Sequence, residues 1–539
     1  MIRENIKKAH EKLNCDERNL ATFYREVVVK PSFYLPVLVL CIVAYLPSLT
    51  NTKRQFEDFH VEYYLGNNGV MKTGRWWMWL LGRSFNLAGN DILNKYFGFV
   101  LLILGALVIC CTFYCLSNDN AIFKYSVLTA TIVTFPLINE IWSYNVANLL
   151  VCMNFFLCGV VVYLYLHSRG NKKRIFGLSA VAFALISSSY ESGLLLYVTY
   201  VLLLLWYAQY KHRINFKEFL FSGVILALPL FVGTVIGILV GRCIAIISGM
   251  PYERHGNTVS HWNDPNALQS VLIDNLDKYI LRSLVYMPIT LFSIAVFVWI
   301  IVLVKMMIKH SYCVCITGAI AFFSLFILSL YQGTSLAYRV AQNVTLFTAV
   351  SFFVIAEYAN KHCTVMRRVI NLLLLITCIS EAACLCDINL RDYQSAHNDE
   401  NLVRQIGFEL TSHYYGKPVI FVGHLYDGYT IYSEYLQERV IVDTSSPMGK
   451  IYNKLHIYCY GYSAENMKYH ETNLWSVLFL ADRESASMEQ FFSYCGYQIS
   501  VIPYADNPDA YPEVKDLVES NGIHILEFAD MGEYVVVGL

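Results

Sequence analysis

Directly after its first apolar stretch the chain reads Lys53-Arg54-Gln55-Phe56-Glu57-Asp58-Phe59-His60. Two adjacent carboxylates beside His60 and Glu62 suit general-base work, because one that stays ionised can take the proton of an incoming hydroxyl. The competing reading of Glu57 and Asp58 is a solvated acidic pair on a loop. Next comes Thr73-Gly74-Arg75-Trp76-Trp77-Met78-Trp79-Leu80-Leu81-Gly82-Arg83. At helical spacing it gives an aromatic and apolar face with arginines at the rim, a helix suited to the plane of a membrane interface. Trp76 fits an aromatic belt. Arg75 fits a forked set of hydrogen bonds to a lipid-linked phosphate.

Further polar residues punctuate apolar runs. Glu140 and Trp142 lie in Asn139–Tyr144, Tyr190 and Glu191 in Ser187–Ser192, and Tyr338 and Arg339 just after Tyr331-Gln332-Gly333. Glu191 is costly near a bilayer unless paired or wet. Each alone reads as a satisfied structural group; several on one face would make a site. Arg242 follows Gly237 and Gly241 late in an apolar run. Snorkelling to the surface and binding an anionic lipid head both stand. The next loop carries Glu253, Arg254, His255, His261, Trp262 and Asp264. A lid or an acceptor contact fits His255 and its neighbours better than a metal site. No metal ligand is assigned and no cofactor is called for; a divalent metal stays open.

What must position these residues is a membrane. Of 539 residues 56% are apolar and 15% charged, whereas about a quarter of a soluble domain is charged. This excludes a cytosolic enzyme and a disordered chain. Forty basic against 41 acidic residues leave no basic field for nucleic acid. About 20 apolar residues span a bilayer as a helix. The sequence predicts eleven spans: 32–50, 94–116, 121–138, 145–167, 174–189, 192–210, 218–246, 284–304, 312–331, 341–358 and 368–388. Alternate connections are basic, with Arg169, Lys172, Lys173 and Arg174, then Lys211, Arg213 and Lys217, then Lys305 and Lys309, then Lys361, Arg367 and Arg368. By the positive-inside rule these face the cytoplasm with the polar N-terminal segment, 1–31. That segment lacks the apolar core of a signal peptide, so the first span is expected to direct insertion. The outward loops 51–93 and 247–283 are long. Most cysteines sit in apolar runs as small hydrophobes. The spans look nearly free of charge at their centres and no halves repeat, which gives a transporter no support.

After residue 389 the character changes. Pro418–Gly423, Val440–Asp443, Ser476–Ala481, Gln498–Ile502, Ile523–Phe528 and Tyr534–Val537 read as strands, with helical patterns near 428–438, 486–494 and 510–521. The fold expected is an α-helical polytopic membrane protein of about eleven transmembrane helices over 32–388. A small extracytoplasmic α/β domain follows over 389–539.

Over roughly 33–360 the combination of Glu57-Asp58, Gly74-Arg75, Ser189-Tyr190-Glu191 and Tyr338-Arg339 resembles a known group. These are the polytopic GT-C glycosyltransferases of the bacterial serotype-converting glucosyltransferase type, which decorate O-antigens and other cell-surface polysaccharides. The family usually shows Asp-Asp where this chain has Glu57-Asp58, and commonly Gln where it has Glu191. The resemblance implies a bacterial plasma (inner) membrane enzyme. It would transfer a hexose, most often glucose, from a polyprenyl-phosphate donor to a glycan acceptor on the extracytoplasmic face, with inversion. Asp58 or Glu57 would be the base. Arg75 and Arg339 would stabilise the departing lipid phosphate. Trp76, Trp142 and Tyr190 would present flat faces to sugar and lipid. The rival reading is a multi-pass transporter or flippase of a lipid-linked or polysaccharide substrate.

Overall fold

A computed structural model describes residues 11–15, 17–50, 69–84, 91–117, 119, 121–138, 145–168, 172–250, 252, 261–275, 287–334, 341–361, 364–422, 485–504, 507–520 and 526–538. They fall into two compact units that divide after Asn389.

In the first unit a helix lies in each of the eleven apolar segments. In chain order the helices are α1 (Pro31–Thr50), the short α2 (Trp76–Ser84), α3 (Asp91–Leu116), α4 (Ile122–Thr134), α5 (Asn145–Leu166), α6 (Lys172–Ser189) and α7 (Ser192–Tyr210). There follow α8 (Phe216–Ser248), α9 (Met287–Ile308), α10 (Tyr312–Phe323), α11 (Ile327–Gln332), α12 (Gln342–Asn360) and α13 (Thr364–His413). A 3-10 turn, Ser324–Phe326, joins α10 to α11. Among the described residues seven helical stretches are long and apolar enough to cross a membrane: Pro31–Thr50, Ile92–Leu116, Asn148–Leu166, Ser192–Tyr210, Phe216–Ser248, Tyr312–Gln332 and Thr364–Cys386. The chain is a helical membrane protein.

The outer faces of the bundle agree with a lipid surround. On α1, Leu35, Leu38, Val39, Ile42 and Leu46 are exposed, while Val37, Leu40, Cys41, Ala44 and Tyr45 are buried. Contiguous exposed apolar residues on this scale mark a membrane surface rather than water. α12 shows why hydropathy alone undercounts. Its Gln342, Asn343, Thr345, Thr348, Ser351 and Glu357 are all buried, so this helix meets other helices rather than lipid and needs no apolar outer stripe. Interhelical hydrogen bonds serve two of these polar groups: Asn343 donates to Thr199 Oγ1 of α7 at 3.3 Å, and Glu357 accepts from the Tyr207 hydroxyl at 2.6 Å.

α8 starts and stops on local signals. Asn215 accepts from the Glu218 amide and Glu218 accepts from the Asn215 amide, both at 2.9 Å, a capping box. Gly249 ends the helix at φ +64°, where a residue without Cβ is unstrained. Between them run 33 residues, about 50 Å of helix.

Helix ends gather by sidedness. Lys12 pairs with Glu218 at 2.7 Å. Arg18 donates to the Tyr114 carbonyl at 3.3 Å, and the Arg18 carbonyl lies 3.0 Å from the His167 ring. Lys124 and Lys211 meet Glu357, and Lys305 donates to Tyr358. One end of the bundle thus carries the N-terminal segment, the ends of α3, α5, α7, α9 and α12, and the starts of α4 and α8.

α13 departs from expectation. It runs unbroken for 50 residues, past the predicted end of the last span at 388. No Pro or Gly interrupts it before Gly407, and its polar residues beyond 389 keep a helix as readily as apolar ones do. Within its apolar part Glu381 is wholly buried.

The second unit contains a mixed sheet. β1 (Val419–Val422) pairs in parallel with β3 (Val535–Gly538), and β2 (Phe528–Asp530) pairs antiparallel with β3. Val501 bridges to Val419 on the free side of β1. Val419 and Phe421 face Val403, Ile406 and Leu410 of α13 and Met488, Phe491 and Phe492 of α14 (Ser485–Tyr494). Ile420 and Val422 face Val514 of α15 (Pro512–Glu519). The period-2 alternation of β1 therefore buries both faces, as a parallel pair requires. The predicted segments 428–438, 440–443 and 476–481 lie outside the described residues.

Candidate functional site

Arg75 sits on a turn that its sequence forces. Gly74 adopts φ +83°, a conformation favouring glycine, and its amide donates to Met71 at 2.9 Å. The chain then enters α2 at Trp76. The Trp76 indole N–H donates to the Gly237 carbonyl of α8 at 2.9 Å. A Cβ at Gly241 would stand 3.0 Å from the Trp76 ring and 2.9 Å from that of Tyr252. One turn at a time down α8, a Cβ at Gly237 would meet Ser187 Oγ at 2.5 Å, and one at Gly233 the Ala180 carbonyl at 2.3 Å. Small residues at 233, 237 and 241 thus let α8 lie against α6 and seat Trp76 above them. Gly233→Ala is expected to push the helices apart at a cost of about 1–3 kcal/mol. A lowered unfolding temperature of the purified protein checks it, and an unchanged one rejects the close packing.

Tyr190 is held by a polar residue inside an apolar helix. Asn154 of α5 donates to the Tyr190 carbonyl at 3.0 Å and accepts from Ser189 Oγ at 3.2 Å. A Cβ at Gly193 would collide with Asn154 Nδ2 at 2.6 Å. This lock fixes the α6–α7 turn with the Tyr190 ring towards Arg75, whose Cζ lies 5.3 Å from the ring centroid. A guanidinium over a ring face is attracted by its quadrupole. Among the described residues the buried Arg75 Nε has no hydrogen-bond partner, and neither has the buried indole nitrogen of Trp77 two residues on. Buried donors left unmade are costly, and among the described residues no carboxylate pairs with Arg75. The arrangement can donate hydrogen bonds to an anionic oxygen while the ring holds the fork in place.

Of the sequence candidates, the fold brings Arg75, Trp76 and Tyr190 together. Glu191 is half-buried and precedes α7 as its N-cap, without a side-chain capping bond. Arg242 follows Gly241 but is exposed and does not join Trp76. Glu57, Asp58, Glu140, Trp142, His255, Tyr338 and Arg339 lie outside the described residues. No family model, curated protein or solved structure matches this chain. Among the described residues no group of three or more His, Cys, Asp or Glu side chains is placed to hold a metal.

Sequence reading missed Trp77, Asn154 and the glycine ladder as parts of the site. Asn154 had a signal, a lone amide amid apolar neighbours. The ladder had one too, its four-residue spacing.

Another segment of the same unit is packed against α11. The Trp262 indole donates to the Leu330 carbonyl at 3.0 Å. A Cβ at Gly333 would stand 2.9 Å from the Trp262 amide nitrogen. The loop around 261–275 therefore rests on the end of α11, which leads toward Tyr338 and Arg339 in sequence.

Proposed function

We propose that the chain is a membrane glycosyltransferase, moving a hexose such as glucose from a polyprenyl-phosphate donor to a cell-surface glycan. The observation that carries this reading is Arg75, stacked on Tyr190 with a buried Nε that no described residue satisfies. Such a group suits the phosphate of a lipid-linked donor, where negative charge grows as the sugar leaves. Depth supports it as well. Gly237, beneath Trp76, stands 21 residues after Phe216 along α8, roughly 32 Å of rise, which is the thickness of a hydrocarbon core. If α8 enters at Phe216, Arg75 and Trp76 lie at the opposite membrane–water boundary.

On this reading all eleven helical segments cross the inner membrane of a bacterium. The N-terminus is cytoplasmic with Lys12, Arg18, Lys211 and Lys305 on its side. The α/β unit after Asn389 is extracytoplasmic, and Asp58 or Glu57 is the base of an inverting displacement. The resemblance in the Glu57-Asp58 and Gly74-Arg75 motifs supplies the donor and acceptor classes. The transporter or flippase reading keeps one observation in its favour, the buried Glu381 within a span.

Asp58→Asn is expected to abolish transfer at unchanged membrane abundance, because an amide keeps the shape but cannot take a proton. The check compares surface glycans, by mass-spectrometric linkage analysis, of a deletion strain carrying the wild-type chain, the variant or no chain. Loss of one hexose branch in the variant supports the enzyme and names its sugar. A branch lost only in the empty strain moves the base to Glu57. Identical glycans in all three overturn the glycosyltransferase reading.

A further inference from the structure

The carboxyl of Glu381 presents a different problem from Arg75. It is wholly buried in the first unit, on the apolar part of α13, and its Oε1 has no hydrogen-bond partner among the described residues. Its Oε2 lies 3.5 Å from Thr134 Oγ1 on α4. That hydroxyl has a single proton, and the Ala130 carbonyl, at 2.9 Å, is the nearer acceptor. Glu381 Oε2 thus accepts at most a long hydrogen bond that Thr134 shares with Ala130, with the Thr131 hydroxyl nearby, so an ionised carboxylate here has far fewer donors than water would give it.

The described surroundings add no positive charge. α4 ends at Thr134, Phe135 is extended (φ −66°, ψ 126°) and Pro136 follows. Proline has no N–H to offer the Ile132 carbonyl, and a helix C-terminus carries partial negative charge. From α1, the Tyr45 hydroxyl is committed to the Val133 carbonyl at 2.6 Å. On α13 itself the neighbouring titratable group is Cys378, whose sulfur contacts Thr131 Oγ1 of α4 at 3.8 Å. Among the described residues no Lys, Arg or His pairs with Glu381. Carboxyl, hydroxyl and carbonyl oxygens without a counter-charge are the donor set of a small hard cation.

We propose that Glu381 and Thr134, at the carbonyl end of α4, form an intramembrane binding site for a small monocation, a proton or sodium. The site is separate from Arg75 and stands whether or not the chain is a glycosyltransferase. Either occupant neutralises the buried carboxylate: a proton lets Glu381 donate to Thr134 Oγ1, and sodium would take the two oxygens as ligands.

The test uses the full chain in lipid nanodiscs and dicyclohexylcarbodiimide, which adds to protonated carboxyls in apolar surroundings. Adducts are mapped by peptide mass spectrometry from pH 6 to pH 9, in sodium chloride and in N-methylglucamine chloride of equal ionic strength. Labelling of Glu381 that falls with rising pH and ignores sodium identifies the proton as occupant. Labelling that sodium suppresses several-fold, with a sodium-dependent rise in unfolding temperature, identifies sodium. Glu381→Gln should fold, lose the adduct and lose the sodium response. Thr134→Val should weaken sodium protection while leaving Glu381 open to label. The proposal is overturned if Glu381 stays unlabelled at every pH in both salts, or if its labelling changes with neither pH nor sodium.

Discussion

Arg75→Ala is expected to lower hexose transfer about 100-fold or more, the usual effect of removing a donor aimed at developing negative charge. Membrane abundance should hold, because Trp76, not Arg75, makes the bond to Gly237 that seats α2 on α8. Arg75→Lys should recover little. An ammonium keeps the charge but has neither the planar face that lies on Tyr190 nor the forked donors. Tyr190→Phe keeps the ring and should stay near wild type; Tyr190→Ala should fall towards the arginine variants. The kinetic form matters as much as the size. If Arg75 acts on the leaving phosphate, kcat and kcat/KM drop together, whereas a rise in KM alone would make it a ground-state anchor. Wild-type rates in Arg75→Ala, measured with a labelled polyprenyl-phosphate hexose, would remove Arg75 from the site.

Glu357→Gln should destabilise the fold by about 3–5 kcal/mol, the scale of breaking a buried ion pair by deleting one partner. Glu357 sits between Lys211 and Lys124, the latter 3.9 Å away with its side chain fully buried. The Tyr207 hydroxyl donates to its other oxygen at 2.6 Å. Lys124 also donates to Ser117 at 2.7 Å and approaches Asp119 at 3.4 Å. Glutamine preserves the shape but leaves two ammonium groups facing each other with Asp119 as their remaining counter-charge in this cluster. A fall in unfolding temperature checks the effect, and transfer per folded molecule should not change. Adding Lys124→Met to Glu357→Gln should restore part of the loss, since the two residues share one network. Equal stability of Glu357→Gln and wild type would mean that the lysines reach water.

Helix placement was legible because hydropathy is local and additive. A run such as 94–116 or 218–246 declares itself without reference to any other part of the chain. The long α13 was only half legible. Its apolar part read as a span, but beyond Asn389 neither hydropathy nor a helix-breaking residue marked an end. The face that turns Val403, Ile406 and Leu410 onto β1 became visible only with the sheet in place.

The candidate site divides the same way. Residue type and position at a polar turn singled out Arg75, Trp76 and Tyr190, since charged and aromatic groups at the ends of apolar runs are costly to place idly. The sequence by itself determined the class of protein, the segments that become helices and the turns where chemistry can lie. Only the tertiary structure decided which turns meet. The rotation of α6 against α8 about Gly233 and Gly237 and the lock of Asn154 on the Tyr190 carbonyl bring Arg75 under an aromatic ring and leave Arg242 outside. It also paired Glu381 with Thr134, 247 residues away. Such meetings depend on how ridges of one helix fill the grooves of another. That is a property of pairs of helices, and no single stretch of sequence carries it.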